Sequence, residues 1–107
     1  MSPLVDEIAC KLRDSLQASI NDFEGLYVFG SQVRGDITSQ SDVDIVVLFG
    51  HYDMLSPGAF SDIRFQLMYD YEDVIDLDVI PYTRVELENS LSFYDEVVNK
   101  GVFYGVG

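Results

Sequence analysis

Asp42 and Asp44 sit inside the apolar run "SDVDIVVLF" (residues 41–49), and a Gly-Ser pair, Gly30-Ser31, stands ten residues ahead of the first of them. A carboxylate within a run destined for a sheet is costly unless something positive sits on it. Side chains alternate faces along a strand, so Asp42 and Asp44 point one way while Val43 and Ile45 point the other. Two carboxylates side by side repel, and one of them tends to hold its proton at neutral pH. A hard divalent cation such as Mg²⁺ removes that penalty, because it takes oxygen ligands and commonly combines one or two carboxylates with substrate phosphates. The aspartate pair therefore reads as half of a metal site.

The upstream Gly-Ser supplies the complementary half. Gly30 lets the backbone turn sharply off the preceding apolar run, and Ser31 would open a helical turn whose free N–H groups and hydroxyl can hold a phosphate oxygen. A plain helix cap is compatible with the same serine. The third carboxylate is expected on a neighbouring strand, where "VIDLDVIP" (residues 74–81) offers Asp76 and Asp78 on one shared face; either could instead be an edge-strand charge that discourages aggregation. Three carboxylates holding two metals roughly 3.5–4 Å apart would form a clamp for in-line displacement at phosphorus. One of the three would also be placed to help deprotonate an incoming hydroxyl. Arg34 is open between contact with a triphosphate or acceptor and a solvated loop position, and His51, without a second His or Cys nearby, reads as a surface residue.

The elements that must position these groups follow from periodicity. Leu4, Ile8, Leu12, Leu16 and Ile20 recur every four residues, with Pro3 suited to a first turn, which predicts an amphipathic helix over residues 3–22. A turn over 21–25 leads to a short strand at 26–29, a helical turn at 31–34, a polar loop at 35–41 and a second strand at 43–49. Turn residues fill 50–58, a second helix is expected over about 59–71, and a third strand over 73–81, closed by Pro81. Two short helical pieces (85–91 and 94–99) and a Gly-rich aromatic tail (101–107) complete the chain. The order helix, strand, strand, helix, strand, helix predicts an α/β (α+β) fold, a short mixed sheet with helices packed against it.

The totals limit what such a site can serve. At 107 residues, 48% of them apolar, the chain is expected to be a single domain, residues 1–107, with one core. Nineteen acidic residues stand against six basic ones, a net charge of −13, which is the reverse of what phosphate-gripping proteins carry. Stable nucleic-acid binding is therefore not expected; the acidity reads as a solvated, repulsive surface or as a match for a basic protein partner. No apolar stretch reaches membrane-spanning length and no signal-peptide pattern opens the chain, so the expectation is a cytoplasmic protein without membrane contact. Cys10, the lone cysteine, reads as a small helix residue in a reducing compartment.

Taken together, "GSQVRGDITSQSDVDIVVLF" (30–49) resembles the signature of the DNA polymerase β-like nucleotidyltransferase superfamily, Gly-Ser, ten residues, Asp-x-Asp. The length, the leading helix, the late "LDVIP" strand and the tail make the chain similar to the minimal nucleotidyltransferase (MNT) group. The resemblance implies that Gly30 and Ser31 hold a nucleoside triphosphate, ATP, with Arg34 a further candidate for contact with it, and that Asp42, Asp44 and Asp78 hold two Mg²⁺ ions. It also implies an antitoxin role beside an all-helical HEPN ribonuclease toxin, inactivated by transfer of AMP to one of its tyrosines. The chain has no evident separate acceptor domain, so the acceptor is expected from outside. A binding-only antitoxin, or a nucleotidyltransferase acting on a small molecule or an RNA end, are the alternatives.

Overall fold

A computed structural model of the chain describes residues 2–30, 33, 42–51 and 57–107. Helix α1, Pro3–Ser19, begins where Ser2 accepts a hydrogen bond from the Val5 amide at 3.3 Å, with Pro3 in the first turn where its missing N–H costs nothing. It stops three residues short of the expected end, because Ile20 leaves helical geometry after donating to the Leu16 carbonyl at 2.8 Å. Val5, Ile8, Ala9, Leu12 and Leu16 form its buried stripe.

Strand β1 runs over Phe23–Phe29 and β2 over Val43–Phe49; helix α2 covers Pro57–Asp70 and strand β3 Leu77–Thr83. Two short helices follow, α3 (Arg84–Glu88) and α4 (Leu91–Tyr94), the latter running into a wider π-type turn over Asp95–Asn99, and β4 (Val102–Gly105) comes last. The sheet order is β3-β2-β1-β4, with β1 antiparallel to both β2 and β4, and β2 parallel to β3. Parallel neighbours need a crossover, and α2 provides it. The expected short mixed sheet with packed helices is thus the architecture found.

Other details also depart from the periodicity reading, among them the start of β3 at Leu77 rather than at the expected residue 73. β1 starts at Phe23 rather than Leu26, because Gly25 does not end a turn but sits in a bulge at φ 142°, where a Cβ would lie 2.6 Å from the Phe103 ring. Pro81 lies within β3 instead of closing it. The Asp76 carbonyl accepts from Val43 N at 2.9 Å, so the odd-numbered residues of β3 turn their backbone groups away from β2, to the sheet's edge. Proline, lacking an N–H, loses nothing there. The tail over 101–107 contributes β4, registered as Tyr27 opposite Phe103 and Val28 opposite Val102.

The two faces of the sheet are covered differently. Val43, Ile45, Val47 and Phe49 of β2, with Leu26 and Val28 of β1 and Leu77 and Val79 of β3, pack against α1 and α2 in the larger core. The alternate residues Phe29, Val46 and Leu48 meet Leu87 of α3 and Val97 of the π-type turn in a smaller cluster, with Tyr82 and Phe93 at its margin. Among the described residues no helix is long and apolar enough to cross a membrane.

Candidate active site

β2 carries Asp42 just ahead of its first residue and Asp44 as its second, both on the face of the smaller cluster. The register sets Phe29 opposite Asp44 and Asp44 opposite Asp78, a row across three adjacent strands on that face. Asp44 is half-buried, whereas Asp42, Asp76 and Asp78 are exposed. One step back along both strands, Asp42 and Asp76 share the lining of a hollow of about 480 Å³ with Phe65, Met68 and Glu72. Asp78 lines a neighbouring hollow of about 440 Å³ with Asp62 and Arg64. The parallel pairing thus aligns Asp44 with Asp78 and brings Asp42 beside Asp76.

Gly30 ends β1 at φ 84°, a left-handed conformation that L side chains avoid. A Cβ there would stand 2.5 Å from Oδ2 of Asp44, so the absence of a side chain is what admits the carboxylate beside the turn. The Val33 amide donates to the Gly30 carbonyl at 3.1 Å. Ser31 and Arg34 lie outside the described residues.

The donors suit a hard divalent cation by chemistry, being carboxylate oxygens on one face of the sheet. Among the described residues, no group of three or more His, Cys, Asp or Glu side chains is gathered closely enough to hold a metal ion as it stands. Among the described residues, cations near these acids are few. Arg64 lines the hollow with Asp78, but its Nη1 donates to the Val79 carbonyl at 3.4 Å and its guanidinium lies over the Phe60 ring at 5.3 Å. Lys11, Arg13, Arg84 and Lys100 are each engaged with carboxylates elsewhere.

Arg64, Phe65 and Met68 were not singled out from the sequence as neighbours of the carboxylates. Their signal was available in the outward positions of α2, where apolar residues continue on the side away from the core stripe. His51 is exposed, its backbone N–H donating to Asp22 at 2.6 Å, in keeping with a surface role. Cys10 is a partly buried residue of α1.

A mixed sheet with a Gly-terminated strand beside an Asp-x-Asp strand is the arrangement of a nucleotidyltransferase fold. The chain matches the family described as polymerase beta, nucleotidyltransferase over residues 11–103, and it belongs to that family. Among solved structures it is similar to a toxin–antitoxin crystallised with AMP-PNP, at 26% identity and TM-score 0.63, over 92% of this chain and 73% of that one. It shares its fold with an MNT antitoxin structure solved in complex with a tri-AMPylated HEPN toxin from Shewanella oneidensis (22% identity, TM-score 0.59, 95% and 73% covered). It also shares the fold of the toxin–antitoxin MntA-HepT (23% identity, TM-score 0.56, 94% and 73% covered). No curated protein matches the chain in sequence.

Proposed function

We propose that the chain transfers AMP from ATP to a tyrosine hydroxyl of a HEPN toxin and thereby acts as its antitoxin. The observation that carries this reading is the row Phe29, Asp44, Asp78 on the open face of the sheet, with Gly30 making room for the Asp44 carboxylate. The same register favours Asp78 over Asp76 as the third ligand, since Asp78 stands directly opposite Asp44. The 26%-identical toxin–antitoxin with AMP-PNP supports an adenine nucleotide as the substrate.

Asp42, Asp44 and Asp78 would hold two Mg²⁺ ions, which when bound neutralise the triphosphate and the charge that develops on it in the transition state. Gly30 and the turn after it, including Ser31, bind the phosphates through backbone N–H groups and the serine hydroxyl, and Arg34 contacts the triphosphate or the acceptor. The tyrosine oxygen attacks the α-phosphorus, forming an O–P bond as the bond to the bridging α–β oxygen breaks. Pyrophosphate leaves, and one carboxylate of the set takes the hydroxyl proton. With so few cations in the chain, catalysis rests on positioning and on charge stabilisation.

The test is an intact-mass assay of the HEPN partner with ATP and Mg²⁺, comparing the native chain with the Asp42→Asn, Asp44→Asn double variant. A gain of one or more AMP masses that vanishes with the variant is the expected result. Binding without any mass gain, with ATP or another nucleotide, would leave a binding-only antitoxin. A gain on an RNA end or a small molecule instead of the protein would point to the remaining alternative.

A further inference from the structure

Helix α2 is apolar on two sides. Phe60, Ile63 and Leu67 face the core, yet Phe65, Met68 and Tyr69, spaced three and four apart on the opposite side, are 73%, 41% and 62% exposed. Phe65, Met68 and Leu77 line both hollows beside the aspartates, so the two form one continuous groove between the outer side of α2 and β3. Carboxylates rim it: Asp42, Glu72 and Asp76 at one end, Asp62 and Asp78 at the other.

We infer that this groove docks a basic partner protein through apolar side chains flanked by lysine or arginine; the inference rests on the transfer reading above, with the HEPN protein as the occupant. Three features of the groove select that chemistry. Its floor is apolar and exposed, which in a soluble domain marks an interaction surface. Its rim is anionic, within a chain of net charge −13, so a second copy would meet like charge whereas a cationic surface is attracted. The edge of β3 is closed to strand addition, since Pro81 has no N–H, the Val79 carbonyl accepts from Arg64 and the Thr83 N–H donates to Glu86 at 2.9 Å. The occupant therefore inserts side chains rather than adding a strand. Asp42 and Asp78 are part of the lining, so a partner seated there holds its acceptor next to the proposed reaction centre.

The experiment places the photocrosslinker p-benzoylphenylalanine at Tyr69 or, as a control at the far edge of the sheet, at Val106, which is 54% exposed. Each is built into an Asp44→Asn chain, which removes an aspartate of the proposed reaction centre but none that lines the groove, so that the outcome does not depend on transfer, and co-expressed with the HEPN protein of its own genome. Cross-linking to the partner from position 69 and not from 106 is expected. So is at least a tenfold loss of affinity in calorimetry for Phe65→Ser, Tyr69→Ser at an unchanged unfolding midpoint. Cross-linking only from 106, cross-linking from 69 to a second copy of the chain, or undiminished binding by the Phe65→Ser, Tyr69→Ser chain each overturns the groove. Failure of the two proteins to associate overturns the groove and the partner together. Cross-linking from 69 by a chain whose native form transfers no nucleotide upholds the groove and overturns the transfer reading.

Discussion

The two faces of the sheet divide packing from charge. The face under α1 and α2 is closed, with Ile8, Leu12, Leu16, Val43, Ile45 and Val47 almost without solvent exposure. The opposite face is covered over Val46 and Leu48 by Leu87 and Val97, while the Asp44 and Asp78 end carries half-buried and exposed acids. Because strand residues alternate, one seven-residue strand, β2, supplies both faces at once. Charge can therefore be concentrated at one end of β2 without placing it in the main core.

If that division holds, substitutions on the two faces should fail differently. Leu12→Ala, at a site with no exposure, is expected to cost about 3 kcal/mol of stability by denaturant unfolding, with nucleotide transfer per folded molecule unchanged. Asp44→Asn should do the reverse, lowering transfer about a hundredfold or more in the mass assay while shifting stability by less than about 1 kcal/mol. Gly30→Ala spans both, since the left-handed backbone is strained by about 1–2 kcal/mol and the new Cβ displaces the Asp44 carboxylate; it should lose stability and transfer together.

The smallest effect sharpens the closed face. The Tyr104 hydroxyl donates to Asp6 at 2.7 Å, and burial first, then that carboxylate, raises its pKa above the ordinary 10.0. The folded chain thus holds this proton more tightly than the unfolded one. The associated stability is fully present below about pH 10 and is lost as pH rises through the folded value. Tyr104→Phe should cost about 1 kcal/mol at neutral pH and flatten the alkaline decline in the unfolding midpoint.

Much of the closed face was legible in sequence, because α1 repeats its apolar residues every four positions and β2 is a run of β-branched and aliphatic residues. The Gly-Ser and Asp-x-Asp spacing was equally visible, as was an acidic third strand. Pairing was not. Which of Asp76 and Asp78 stands opposite Asp44 depends on the parallel register through α2, a long-range property no local pattern encodes. β4 was hidden because Val102–Gly105 is short and bounded by glycine, and Pro81 misled because its tolerance depends on β3 being an edge. The outer apolar side of α2 was masked by the stronger core stripe on the same helix.

The parallel β2–β3 pairing also sets a timetable. Asp42 and Asp44 are close neighbours in the chain, but Asp78 reaches its place only when a segment 34 positions further along (78 minus 44) docks beside β2. Contacts of that span form late, after the entropy of closing the loop has been overcome. A partly folded chain therefore holds Asp42 and Asp44 together without Asp78, and on the transfer reading proposed above it would become competent only at the step that completes its sheet on that side.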